Sequence, residues 1–326
     1  MSTPGAAAVE AVTEAGGAGT ALVMSRVEGR MVELVSGHGE LLARHGRETI
    51  TAGGKRLRPL LVCIAAGVPV AESDDLVRAA VAVELVHAAT LVHDDVIDGA
   101  DLRRGRPTVV ASGGRLLALA TGDLLFSRAF AELAAGGQIE PIRILSAAAS
   151  SLATGELMQR DDSWNVEVKQ ERYLERCRLK TGVLFRAACE LGALAGGAPI
   201  EAVGGFGERI GVAFQLLDDI LDVTGPPERT GKPRGADLLD GTVTLPLIEA
   251  RKRNPQLTGL DLRGLERAEQ AAAVCDRIEA TGALEFAREH ALGVVAEAKA
   301  ELPIGLAEAQ RAALELVADG VVERYS

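Results

Sequence analysis

The 326-residue sequence predicts an all-α fold in a single domain. Three observations carry that expectation. Helical periodicity runs from about Ala21 almost to the C-terminus, broken only at Gly- and Pro-containing stretches such as GVPVAES, GGQIEP, GGAPIE and GPPERTGKPRG. No alternating strand-and-turn rhythm appears. The composition, 48% hydrophobic but only 3% aromatic, leans toward helix and away from sheet.

Residues 1–20, rich in Ala and Gly, read as a flexible segment helical at most in part, and residues 21–326 as one domain. Neither a low-complexity linker nor a fixed-period repeat divides the chain. The N-terminal stretch has no basic region followed by a long apolar run, and no segment makes a clean membrane span, so a cytoplasmic protein without an integral membrane segment is expected. Cys63, Cys177, Cys189 and Cys275 are far apart and lack CxxC spacing, which suits reduced thiols. The formal net charge of −11 argues against nucleic-acid binding, which needs a basic surface. Any anionic ligand must be held locally.

The first element with chemical content is Leu76–Asp98, LVRAAVAVELVHAATLVHDDVID, apolar nearly all round and therefore a central buried helix. Its polar residues are not scattered. Glu84, His87, Thr90, Asp94 and Asp98 follow steps of three or four and form one stripe, as if lining a cavity. Gly99 reads as the helix-ending residue. Asp94, Asp95 and Asp98 then fall in the last turn, where the helix dipole disfavours negative charge, so something positive should bind there. His93, His38, His45 and His290 lie off this stripe and read as ordinary structural histidines. Asp123 of TGD, and Glu156 and Gln159 of GELMQ, read as residues that tie helices together.

A second acidic cluster answers the first. In FQLLDDILD, Phe214–Asp222, the residues Gln215, Asp218 and Asp222 share a face with Glu208 on an otherwise apolar helix stopped by Gly225–Pro227. A lone DDxxD is most simply a solvated helix end. Two copies on buried helices point to a shared site, reached only if the helices face each other. Hard oxygen donors without clustered histidines or thiolates suit Mg²⁺, which keeps waters and is completed by substrate phosphates. Basic residues recur nearby: GGKRLRP at Gly53–Pro59, Arg103 and Arg104, Lys180 in KTG and Lys232 in GKPRG. Together, in an acidic chain, they suggest two gripped anionic groups, with glycines letting backbone N–H groups approach. The last elements, Arg267–Gly282, Leu284–Leu302 and Ala307–Tyr325, are amphipathic and read as outer helices.

From Gly53 to Pro246 these motifs occur in an order that resembles the trans-isoprenyl diphosphate synthases, or polyprenyl synthetases: GGKRLRP, HDDVID with RRGRPT, TGD, GELMQ, KTGVLF, FQLLDDILD and GKPRGADLLDGTVTLP. The resemblance implies a helical isoprenoid synthase fold around a deep central cavity and a homodimer, for which the apolar run Leu116–Leu133 offers contact surface. It implies three Mg²⁺ per active site, with Asp94, Asp98 and Asp218 as ligands and Asp95, Asp219 and Asp222 supporting them. Arg103, Lys180 with its neighbour Thr181, and Lys232 would hold the diphosphate of an allylic substrate; Gly54, Lys55, Arg58, His87 and Arg104 that of isopentenyl diphosphate. Gln215 would lie close to the reacting groups. In two places the chain departs from the pattern: Gly241-Thr242 stands where many members have Gly-Lys, and Val109-Val110 follow RGRPT where many have Asn.

Product length is expected to depend on Ala89 and Thr90, the first residues a tail would meet when running from Asp94 toward the helix N-terminus. Ala89 lies roughly 7.5 Å from Asp94 along the axis. Short-chain members place a bulky aromatic residue at that depth, whereas this chain has a methyl group and no two-residue insertion in the first aspartate motif. The expectation is a hepta- to nonaprenyl product. The alternative is a farnesyl- or geranylgeranyl-type product closed off by deeper bulk such as Phe126 or Phe130. A class I terpene cyclase fits less well, because few aromatic side chains are available to steer a cation. A non-catalytic partner subunit need not keep both metal clusters.

Overall fold

The computed structural model describes residues 4–67, 73–103, 105–225 and 233–323. The expected all-α architecture is observed. Helices α1 (Pro4–Ala15), α2 (Ala18–Leu34), α3 (Glu40–Thr51) and α4 (Leu57–Ala66) lead to a long central helix, α5 (Asp74–Asp98). There follow α6 (Val109–Ala134), α7 (Glu140–Asp162) and α8 (Gln170–Cys177), which runs through a single π turn (Arg178–Gly182) into α9 (Val183–Gly196). α10 (Ile200–Thr224) carries the second acidic cluster, and the short α11 (Ala236–Leu239) lies beyond it. α12 (Leu245–Arg253), α13 (Pro255–Thr258), α14 (Ala268–Glu279), α15 (Ala283–Ala300) and α16 (Glu308–Glu323) complete the chain. Among the described residues most helix ends fall in Gly- or Pro-containing breaks of the sequence; the break between α7 and α8, residues 163–169, contains neither.

α5 is buried along most of its length and packs on α2, α4, α6 and α9. Its limits are set chemically. The Ser73 hydroxyl accepts the Leu76 N–H, and Asp74 and Asp75 in the first turn suit the positive end of the dipole. At the other end Gly99 adopts φ 62 and its N–H donates to the Asp95 carbonyl, so the helix stops with its carboxylates in the last turn. α9 packs against α5, α7 and α10 and so ties the two acidic helices into one frame. The terminal amphipathic helices lie outside, α15 on α10 and α16 on α1 and α4. Within the segment expected to be flexible, Pro4–Ala15 is helical and Val12 is buried.

Three details position the site. A two-residue antiparallel ribbon, Leu102–Arg103 with Arg106–Pro107, turns at Gly105 (φ 74) immediately after α5. The sequence reading contained no strand, because two residues are too few to leave a periodic trace. α7 passes so close to the π turn that a Cβ on Gly155 would lie 2.8 Å from Leu179 Cβ and 2.9 Å from Lys180 Cγ. This is the reason for glycine at the head of GELMQ. Finally, α5 and α6 are both long and apolar enough to cross a bilayer, but α5 is the core helix. α6, kinked at Gly114 (φ 80), leaves Leu116 (83% exposed) and Leu119 in solvent.

Candidate active site

The last turn of α5, the π turn and the second half of α10 surround one cavity of about 310 Å³. Its walls bring together most of the residues singled out from the sequence: Arg58, His87, Thr90, Asp94, Asp98, Arg103, Lys180, Thr181, Gln215, Asp218 and Asp219. These come from five segments of the chain, and the two aspartate clusters face a common space. A second cavity of about 380 Å³ adjoins it and shares His87, Leu91 and Arg103. It lies on the Glu84, Ala88 and Asp95 side of α5, under the ribbon and the Gly53 loop.

Within the first cluster the three aspartates have different surroundings. Asp94 lines the cavity, and burial, together with repulsion from Glu156 and Asp98, pushes its carboxyl up to about 6, against the pull of Lys180. Asp95 is buried and accepts from Arg103 Nε at 2.8 Å, so the ribbon arginine neutralises it from the side of the second cavity. Asp98, at the mouth, accepts from Arg160 Nη2 at 2.9 Å. Lys180 is anchored from α7: its ammonium is 2.6 Å from a Glu156 carboxylate oxygen and donates to Gln159 Oε1 at 2.9 Å. Glu156 and Gln159 thus do tie helices, and what they tie is a site lysine.

In the second cluster Asp219 is buried and accepts from Tyr173 Oη at 2.5 Å and from Gln215 Nε2 at 2.7 Å. Gln215 Oε1 in turn accepts the Thr181 hydroxyl at 2.8 Å. Burial, then repulsion from Asp237, holds the Asp219 carboxyl well above the usual carboxylate range. Asp218 faces the cavity, whereas Asp222 accepts the Asp237 backbone N–H at 3.3 Å and is not among the lining residues. Glu208, expected on the same stripe, faces Arg178 and Arg186 at 3.6 and 3.8 Å instead, because the Gly182 backbone packs over α10 at that level and closes the cavity before it.

The basic set divides as well. Arg58 stacks its guanidinium 4.7 Å above the Phe185 ring, its Nε is buried with no hydrogen-bond partner among the described residues, and burial lowers its pKa to about 10. A buried cationic N–H lacking an acceptor at a cavity wall suits an anionic ligand. The neighbouring Arg56 is structural: it adopts φ 46 and donates to Glu28, Glu84 and the Ile50 carbonyl. Gly54 and Lys55 lie in the loop before α4, next to Gly53 on the second cavity, and line neither cavity themselves. Arg104 and Lys232 lie outside the described residues. Thr90 is on the wall, its hydroxyl donating to the His87 carbonyl. Ala89 is fully buried and does not line the cavity, since five residues place it roughly 140° round the helix from Asp94.

Sequence reasoning missed Arg160, Tyr173 and Arg176. Arg160 sits one turn after Glu156 and pairs with it at 3.1 Å, a spacing that could have flagged it. Tyr173 and Arg176 left no such trace. Arg176 is buried, donates to the Val243 carbonyl and lies with its guanidinium carbon 5.5 Å from the Tyr173 ring.

Among the described residues no three His, Cys, Asp or Glu side chains converge into a ready-made metal cage. Separate hard carboxylates on facing walls, with cations between them, fit Mg²⁺ that is completed by water and diphosphate oxygens better than a cation caged by protein alone.

Comparison with known proteins identifies a family and its fold. The family model described as polyprenyl synthetase matches residues 39–279. The chain is 42% identical over 247 residues to a heptaprenyl diphosphate synthase component 2 of Geobacillus stearothermophilus, covering 74% of this chain and 77% of that protein. It is 36% identical over 296 residues to a geranylgeranyl diphosphate synthase of Methanosarcina mazei, covering 87% and 90%. A polyprenyl synthase of Caulobacter crescentus, solved with calcium and isoprenyl diphosphate, superposes with a TM-score of 0.89 at 34% identity and covers 98% of both chains.

Tyr173→Phe leaves the buried Asp219 with one donor fewer and should destabilise the protein by about 1–3 kcal/mol. Urea unfolding of the purified variant measures this; an unchanged midpoint would show that the hydroxyl carries no such load.

Proposed function

The chain belongs to the polyprenyl synthetase family, and from that premise we propose that it joins isopentenyl diphosphate to an allylic diphosphate, head-to-tail and in trans, in a Mg²⁺-dependent reaction. One observation carries the reading: two aspartate clusters on separate helices face one cavity whose walls also present Lys180, Arg58 and Arg103. Asp94, Asp98 and Asp218 would hold the metal ions, with Asp95, Asp219 and Asp222 behind them. Bound Mg²⁺ supplies stabilisation of the charge that gathers on the leaving diphosphate.

The remaining work falls to the chain. Lys180 and Arg103 hold the allylic diphosphate, while Arg58 and His87 hold that of isopentenyl diphosphate. Breaking the allylic C–O bond leaves an allyl cation and a diphosphate anion. The π bond of isopentenyl diphosphate attacks the cation to form the new C–C bond, and the proton then lost passes to the departing diphosphate. Leu91 and Phe214 keep the wall apolar, so water does not trap the cation. Thr181 and Gln215, bonded to each other, fix the polar edge of the reacting space. Four buried free thiols suit a reducing, cytoplasmic setting.

We infer a product longer than twenty carbons, in the hepta- to nonaprenyl range. Neither Ala89 nor Thr90 brings bulk to the wall, and the candidate stopper Phe126 is engaged elsewhere, its ring 5.9 Å from that of His93. A relative bears a heptaprenyl name. The second reading, a geranylgeranyl-type product, is favoured by another relative, of lower identity and higher coverage. We also infer a homodimer through α6 and α7, which are in contact and expose Leu116, Leu119 and Leu157.

Asp94→Ala and Asp218→Ala should each lower turnover of isopentenyl diphosphate at least about 10²-fold; near-normal rates in either would remove the metal assignment. Thr90→Phe should shorten the products, read as the mass of the dephosphorylated alcohols, because added bulk on the cavity wall blocks elongation. A wild type that stops at twenty carbons or fewer contradicts the long-chain reading. Light scattering at micromolar concentration should return twice the chain mass, and a monomer refutes the dimer.

A further inference from the structure

Four charges of alternating sign stand in a row at the edge of the cavity. Asp98 accepts from Arg160 Nη2 at 2.9 Å, Arg160 Nε lies 3.1 Å from Glu156, and Glu156 lies 2.6 Å from Lys180 Nζ. The outer carboxylate of the first cluster is thus paired with a cation of the chain itself. One glutamate also holds both that cation and Lys180. The two ends of the row differ in strength. The Glu156 and Lys180 side chains are only 18% and 25% exposed, whereas Asp98 and Arg160 keep 39% and 42%. Water and salt screen the outer pair, so it exchanges readily, and the inner pair is the fixed one. Arg160 stands in the last turn of α7, where its side chain can swing without moving the helix.

The exchange has a direction. A divalent cation at Asp98 needs the oxygen that Arg160 holds, and it repels the guanidinium. A diphosphate in the same cavity offers that planar, five-donor group several anionic oxygens in place of the one it gives up. We propose that Arg160 is a displaceable counter-ion of the first aspartate cluster: it neutralises Asp98 in the empty enzyme, yields that carboxylate to a divalent cation, and passes to the bound diphosphate. Metal and diphosphate then bind with positive coupling, because each removes a cost the other would meet alone. Arg160 is a positioning residue in this scheme, and the scheme rests on the functional reading above.

Calorimetric titration of the metal-free full chain tests it, first with Mg²⁺ alone and then with inorganic diphosphate at saturating Mg²⁺. Arg160→Gln should bind Mg²⁺ alone about threefold to tenfold more tightly than wild type, since the competitor is gone. The same variant should bind inorganic diphosphate about tenfold more weakly. Opposite signs are the signature; a mere structural brace would weaken both ligands or leave both unchanged, and either result overturns the proposal. Arg160→Lys keeps the charge and loses the fork, so it should fall between the two on both titrations, and it carries the comparison if the Gln variant fails to fold. A wild-type protein that bound no diphosphate at saturating Mg²⁺ would instead overturn the functional reading, and the proposal with it.

Discussion

Repulsion among six carboxylates at the C-terminal ends of two helices is the constraint around which this molecule is arranged. A helix ends at its negative pole, and carboxylates a few ångströms apart raise one another's proton affinity. A chain that keeps such groups must compensate each one. Here the compensation comes from separate elements: Arg103 of the ribbon on Asp95, Arg160 of α7 on Asp98, Tyr173 of α8 on Asp219, and the backbone N–H at Asp237 in α11 on Asp222. Parts of the fold with little core of their own, such as the two-residue ribbon and α11, are justified by these contacts. Asp94 and Asp218 face the cavity, where a cationic ligand would meet them.

Cations are disposed by the same logic. Arg56 spends its guanidinium on Glu28, Glu84 and a carbonyl and acts as a rivet between α2, α5 and the loop before α4. Arg58, two residues on, lies over an aromatic face with a buried N–H left over. α5 borders two cavities, one on the Asp94 face and one on the Asp95 face, which share His87, Leu91 and Arg103 in their walls.

Much of this was legible in the sequence, for local reasons. The course of α5, its stop at Gly99 and the polar stripe on each acidic helix follow from period and capping, which depend on neighbours three or four residues away. Tertiary approach was not legible. Arg160 reaches Asp98 across 62 residues and Tyr173 reaches Asp219 across 46, and nothing in either local pattern announces the partner. The stripe on α10 was traced correctly as a stripe, yet Glu208 lies beyond the point where the Gly182 backbone seals the cavity. Ala89 shows a further limit: axial depth was counted, but rotation about the helix turns the residue away from the space it was expected to face.

The π turn at Arg178–Gly182 has a consequence for how this segment can vary over evolutionary time. A π turn is in effect one residue inserted into an α-helix, and here it interrupts an otherwise continuous run from Gln170 to Gly196. Deleting one residue there would restore regular hydrogen bonding and relieve a locally unfavourable geometry. It would also rotate everything before the turn against everything after it by roughly 100°, taking Tyr173 out of line with Asp219 or Phe185 out from under Arg58. The segment is therefore held at its length by the contacts on either side of the turn, against its own backbone preference.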